Sequence, residues 1–381
     1  AEGRLAALTL ILATLLLALL AISLAAGVTS SRLAWDPAIG AGVLLPAAMW
    51  VSFFFSPSGT GAILAVFALG GAGLVITIAQ LDRELIPTRV ALPLLVGTSV
   101  QAVLVIAQTI TDSAIGLTVF MPDAELHFID GLLRSQGTMH HVYEPAALAL
   151  LTAGVAATTA PKVSDRLRPV WIAGTALAGA TIGLTHSRAA LVGFILMAPF
   201  IALAARRRIP NSAAVGAALL AGFAVAALFT SSAWLLRADH SVTGDLDDVT
   251  LGRVTLAQQA IEMAVDHPLV GVGPGRYLET MRTKYQLDND YPFIVHNVSL
   301  AMAAENGIPT GIIVTALLAL TMVRLVRLGP LSAALAVCLL GFIVFDVLHY
   351  DRPVGLMMAG IWLGVASAQL RSQMSRRTRS S

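Results

Sequence analysis

The sequence predicts an all-α, polytopic membrane helix bundle, and three observations carry that prediction. Of the 381 residues, 57% are hydrophobic and only 12% are charged, against ~45–50% apolar in a water-soluble globule. The mean hydropathy is +0.81. Apolar runs of ~20 residues, the length that crosses a ~30 Å hydrocarbon core, recur from one end of the chain to the other. The formal charge of +2 gives no sign of nucleic-acid binding, because the basic residues are scattered among connections rather than gathered on one face. The single cysteine, Cys338, lies in an apolar run. That excludes an intramolecular disulfide and cysteine-based redox or metal sites, and leaves a small buried core residue as the expectation.

Taken in order, the runs place helices at about 5–26, 38–55, 60–80, 90–110, 143–160, 169–185, 189–205, 212–232, 294–323, 330–348 and 353–370, eleven in all. The first is longer than a signal-peptide core and is followed by further spans, so it reads as a membrane helix. The chain begins at Ala1 rather than Met, and one more helix upstream would place both ends in the cytoplasm, giving twelve. No internal repeat, heptad pattern or low-complexity stretch stands out. The whole of 1–381 reads as one integral membrane domain, with a long loop or cap at 233–293 and a basic tail at 371–381.

Orientation follows from Lys and Arg, which cytoplasmic connections retain. Arg32, Arg83 and Arg89, Lys162 with Arg166 and Arg168, Arg206 to Arg208, Arg324 and Arg327, and the tail arginines fall on alternate connections. Together they make fifteen of the 24 basic residues. The tail is therefore expected in the cytoplasm, and the two long connections at 111–142 and 233–293 face outward. In a bacterium that side is the periplasm or the exterior.

Polar sequence inside so apolar a chain needs a reason, and the stretch from Arg253 to Gly307 is the largest instance. GRVTLAQQAIEMAVDH carries Val254, Ala257, Ile261 and Ala264 or Val265 at helical spacing, which predicts an amphipathic helix lying along the membrane surface or capping the bundle, with Arg253 in its first turn. Arg188, in THSRAA, sits at the tight outward turn between the sixth and seventh spans, and His296 at the outward start of the ninth. A single such arginine can be a side chain snorkelling to lipid headgroups. Several on one membrane face suit a lipid-linked phosphate or diphosphate, because guanidinium is planar, always charged and grips phosphate oxygens in a bidentate way. An imidazole there can take a proton from an attacking hydroxyl, an effect worth ~10²–10⁴-fold in rate.

Three further features bear on chemistry. GVGPGRY, with glycines at 271, 273 and 275, lacks the strand a dinucleotide fingerprint needs. It reads as a tight turn with exposed N–H groups, followed by a helix from Arg276 to Tyr285 whose N-terminus suits an anion. Asp245, Asp247 and Asp248, and likewise Asp288 and Asp290, read as solvated loop carboxylates. If the ninth span runs as one helix, Glu305 points away from His296 and needs another partner inside the protein, while Gly307 and Pro309 kink the helix.

These motifs resemble a known family. Ser187-Arg188, Gly252-Arg253, the run Asp266 to Gly275, and His296-Asn297-x-x-Leu300 up to Gly307 are similar, in order and spacing, to the O-antigen ligase and polymerase superfamily of bacterial membrane glycosyltransferases. Arg134 to Thr138 with His141 resembles that family's earlier segment, except that Val142-Tyr143 replaces the usual Pro-Asn. The resemblance covers roughly 134–310. It implies a membrane fold of the glycosyltransferase C type with a long periplasmic loop and a site at the periplasmic face of the inner membrane. The implied partners are an undecaprenyl diphosphate-linked glycan as donor and, as acceptor, the lipid A core for a ligase or another carrier-linked unit for a polymerase. It also implies no nucleotide sugar, cofactor or metal. Residue by residue, Arg188 and Arg253 would hold the diphosphate, with Arg276 as an added contact, and His296 would activate the acceptor hydroxyl. A lipid-linked glycan transporter is the reading from another class, and Glu305 and Asp346 are the intramembrane carboxylates that bear on it.

Overall fold

The computed structural model describes residues 35–115, 128–129, 132–139, 141–239, 253–284, 294–345 and 353–380. The expected first span at 5–26, the loop aspartates and Asp346 lie outside these residues. What is described is almost entirely helical: α1 (Pro37–Phe55), α2 (Gly59–Ala79), a π-helical turn at Pro87–Ala91 leading into α3 (Leu92–Thr111), α4 (Tyr143–Thr159), α5 (Arg168–Leu184), α6 (Arg188–Arg206), α7 (Ser212–Phe229), α8 (Ser231–Asp239), α9 (Arg253–Asp266), α10 (Tyr277–Lys284), α11 (Val298–Asn306), α12 (Ile308–Leu328), α13 (Pro330–Phe345) and α14 (Pro353–Ser380). A two-residue antiparallel ladder, β1 (Phe128–Ile129) with β2 (Leu132–Leu133), is the only strand pairing among the described residues.

Seven of these helical stretches are long and apolar enough to cross a membrane, namely α1, α2, Pro87–Thr111, α6, α7, α12 and the Val354–Arg371 part of α14. The protein is a polytopic membrane helix bundle. Helices also form at the expected spans near 143–160, 169–185 and 330–348, but α4 and α5 have 17 residues and α13 has 16. A 17-residue helix rises only ~25 Å, short of a ~30 Å hydrocarbon core. The expected span at 212–232 ends at Phe229, and α8 follows as a separate short helix.

Two compact units make up the chain, one from residues 1–81, 245–324 and 343–381, the other from 82–244 and 325–342. In the second, α4 is encased by protein, with only Tyr143 and Leu148 short of full burial, as expected for a helix that is apolar all round. Cys338 of α13 packs there, its Sγ 3.2 Å from the Leu150 carbonyl, in the core role that its apolar neighbours predict. Helices α5 and α7 cross at glycines. A Cβ on Gly222 would stand 1.9 Å from the Ala176 carbonyl oxygen, and one on Gly179 would stand 2.1 Å from that of Leu219. Small residues permit this approach, and in lipid such close packing supplies much of the association. Val96, Val100 and Val103 of α3 face outward on one exposed apolar stripe.

In the first unit, Asp36 caps α1, its Oδ1 accepting from the N–H groups of Ala38 at 2.8 Å and Ile39 at 3.1 Å. Ser367 of α14 donates to the other carboxylate oxygen. One expectation is corrected in this unit. The span read at 294–323 is two helices, α11 and α12, separated by Gly307 at φ 89°. Residues 294–297 precede α11 rather than belong to it. Asn297 is its N-cap, with the side-chain oxygen accepting from Leu300 N–H at 3.0 Å.

Candidate active site

The first unit builds its polar region around Glu305, the last-turn residue of α11, which is fully buried. Its carboxylate accepts the N–H of Gly275 at 3.0 Å and that of Tyr277 at 3.1 Å. The anion that the GVGPG turn and the N-terminus of α10 were expected to receive from outside is thus supplied by the protein itself. The sequence expectation of exposed N–H groups is overturned at these two, because successive left-handed glycines, Gly273 at φ 106° and Gly275 at φ 69°, aim them inward. The backbone pairs as well. Val272 N–H donates to the Ala304 carbonyl at 2.9 Å, Gly273 N–H to that of Glu305 at 3.0 Å, and Ile308 N–H to that of Pro268 at 2.8 Å.

The same loop is fastened to the last turn of α1 and to the α1–α2 connection. Ser52 Oγ lies 2.6 Å from the Val270 carbonyl and 2.7 Å from that of Glu305, and Ser56 Oγ donates to Val272 at 2.8 Å. Arg276 Nη1 donates to Ser56 Oγ at 2.7 Å, and its Nε to Glu279 at 3.1 Å. The guanidinium proposed as an added phosphate contact therefore already spends two donors on protein. Tyr277 is buried, and its hydroxyl donates to the Leu256 carbonyl of α9 at 3.0 Å. Burial first, and the Glu305 charge second, push its pKa well above the ordinary tyrosine value.

Arg253 is the first residue of α9, which packs against α11. The buried face of α9 is Leu256, Gln259, Ala260, Met263 and Ala264. The apolar stripe of Val254, Ile261 and Val265 lies on the opposite, outer side, 48%, 50% and 64% exposed. His296 stands partly exposed in the bend one residue before the α11 cap, so its direction is set by loop geometry and not by helix periodicity. Arg253, Arg276 and His296 all belong to this unit.

Arg188 belongs to the second unit, at the start of α6. Thr185, His186 and Ser187 make the tight turn before it. His186 takes the left-handed conformation at φ 51°, and Ser187 caps α6 through its Oγ, which accepts from Ala190 N–H at 3.3 Å. Arg134, quoted above only as part of a family-like segment, comes into the same neighbourhood. It is 6% exposed, donates from Nη2 to the Thr185 carbonyl at 3.3 Å, and lies over the Tyr143 ring with Cζ 5.3 Å from its centroid. Burial lowers its pKa, Tyr143 opposes that, and the charge of Arg188 adds to it. A cavity of about 180 Å³ opens beside Arg134, lined also by Thr109, Asp112, His186, Thr230 and Ser232. His141 stacks on Tyr143 with ring centroids 4.5 Å apart, and its Nδ1 accepts from the Tyr143 N–H at 3.3 Å.

Sequence reading did not assign a role to Arg134 or His186, since one lies in a loop of ordinary polarity and the other two residues before a more conspicuous arginine. The signal available for His186 was its place in the tight THSR turn. Residues 173–315 match the family model described as O-antigen ligase, a range containing Arg188, Arg253, Arg276 and His296. No curated protein matches the chain. Over residues 173–315 the chain is thus similar to the O-antigen ligase family.

Proposed function

We propose that the protein is a glycosyltransferase that moves a glycan from an undecaprenyl diphosphate carrier to an acceptor hydroxyl of the lipid A core, at the periplasmic face of the inner membrane and without a metal. The observation that carries this reading is the O-antigen ligase match over 173–315, which encloses the two arginines and the histidine singled out on chemical grounds. In the single-displacement step, the acceptor oxygen attacks the anomeric carbon as the bond from that carbon to the diphosphate oxygen breaks. The electron pair leaves with the diphosphate, whose growing charge Arg188 and Arg253 stabilise. The acceptor proton passes to the neutral imidazole of His296. The products are an inverted glycoside and the free carrier diphosphate, with His296 returning its proton to solvent.

The test is glycan transfer in membranes by Arg188→Ala, Arg253→Ala and His296→Ala, each purified and shown to keep the native melting profile. Losses of at least ~10²-fold are expected for each, the scale of one missing electrostatic or general-base contribution. Wild-type rates in all three variants would end this mechanism.

A further inference from the structure

Helices α6 and α7 of the second unit enclose a groove of about 320 Å³ in the half of α6 that ends at Arg206. Phe194, Ala198 and Ala205 line it from α6, and Ala213, Ala217 and Leu220 from α7. Ser212 supplies the only hydroxyl among the lining residues, and its Oγ already donates to the Ile209 carbonyl at 2.6 Å. From Ala205 to Phe194 the helix rises ~16 Å, close to half of a ~30 Å hydrocarbon core. A groove one leaflet deep with no free polar group suits a hydrocarbon chain.

The turn that closes the Ala205 end of the groove is strongly basic. Arg206, Arg207 and Arg208 are all exposed, and none of the three guanidiniums has a hydrogen-bond or ion-pair partner among the described residues. No Asp or Glu occurs between Arg188 and Asp239, so neither α6 nor α7 supplies a counter-charge. The turn is also fixed in place. Arg208 N–H donates to the Ala205 carbonyl at 2.9 Å and Ile209 N–H to that of Ala204 at 3.0 Å. Asn211, left-handed at φ 61°, donates from Nδ2 to the Ala160 carbonyl at 2.9 Å. Like charges held on consecutive residues repel, and an anion relieves that repulsion.

We propose that this groove and its arginine turn form a binding site for an anionic glycerophospholipid, with one acyl chain lying between α6 and α7 and the headgroup phosphate meeting Arg206 to Arg208. Basic clusters at the ends of membrane helices recognise anionic headgroups, and guanidinium takes phosphate oxygens in bidentate pairs. A zwitterionic lipid offers the same chain without the net charge. A second copy of this chain, docked two-fold along the groove, would bring the same three arginines to the same level. The assignment rests on no part of the transferase reading.

The full chain in a nonionic detergent would be exposed to phosphatidylglycerol or to phosphatidylcholine with the same acyl chains, and retained lipid counted by native mass spectrometry. The wild type is expected to retain phosphatidylglycerol at concentrations about tenfold or more below those needed for phosphatidylcholine. Arg206→Gln, Arg207→Gln and Arg208→Gln combined, all at exposed positions that the fold tolerates, should erase that preference, each single change losing up to about fivefold. Ala217→Phe fills the groove and should weaken both lipids severalfold, whereas Val225→Phe, exposed on α7 outside the lining, should bind both like the wild type. Equal retention of the two lipids by the wild type, a preference that survives the triple substitution, or the same retention in Ala217→Phe and Val225→Phe overturns the site. A dimer mass without lipid, lost in Ala217→Phe, would give the groove to a second copy and overturn it as well.

Discussion

Glu305 joins three separate stretches of chain by hydrogen bonds from a single residue. Its carboxylate holds the Gly275 and Tyr277 N–H groups, its carbonyl receives Gly273 N–H and Ser52 Oγ, and Tyr277 in turn holds α9 through Leu256. Glu305→Gln offers an NH₂ where one backbone N–H needs an acceptor, so a donor faces a donor. The expected cost is ~2–3 kcal/mol, read as a melting point lowered by several degrees in detergent, with Glu305→Ala worse. Tyr277→Phe removes one buried bond to Leu256 and should cost ~1 kcal/mol in the same assay; a loss as large as that of Glu305→Gln would mean the carboxylate is not the anchor. A partner for Glu305 was foreseeable from the expense of a carboxylate beside a membrane. Which partner was not, because Gly275 lies 30 positions away in the chain and nothing local to either stretch names the other.

At the scale of elements, the long apolar helices were legible because lipid demands a run of fixed length and composition. The sequence did not say which side of α9 meets protein. Hydrophobic periodicity marks the protein-facing side only when water is the alternative, and here Val254, Ile261 and Val265 are exposed while Gln259 is buried. The break between α11 and α12 was half legible: Pro309 announced a kink, but the severing is done by Gly307. At φ 89° Gly307 is in a conformation that L side chains rarely adopt, and a Cβ there would stand 2.1 Å from the Leu269 carbonyl oxygen. Gly307→Ala therefore combines backbone strain with a clash against main chain, and ~3 kcal/mol or more of destabilisation is expected. Gly97, inside α3, has open space at its Cβ, so Gly97→Ala should be neutral or stabilising by up to ~1 kcal/mol through helix propensity. Melting curves of the two variants side by side test this; equal midpoints would show that the clasp between residues 268–273 and α11 carries no stability.

For the whole molecule, the reading of function depends on which side of the membrane the arginines face, and charge makes that testable. Connections on one side of the expected spans hold fifteen of the 24 basic residues, and retention of Lys and Arg places that side in the cytoplasm. Within the first unit, two connections assigned to the opposite side do meet, since Ser56 bonds Val272 and Arg276. The lone Cys338 is buried, so Cys338→Ser supplies a cysteine-free background at small cost. In it, Ser113→Cys, at an exposed position after α3, should react with a membrane-impermeant maleimide in cells whose outer membrane has been permeabilised. Thr378→Cys in the tail should react only after lysis. The reverse pattern would put Arg188, Arg253 and His296 on the cytoplasmic face, where a periplasmic transfer to lipid A core is impossible. With the expected pattern in hand, the lipid-linked species that accumulates when the protein is removed separates the two family activities. Long chains left on the carrier mean lost ligation to lipid A core, and single repeat units mean lost polymerisation.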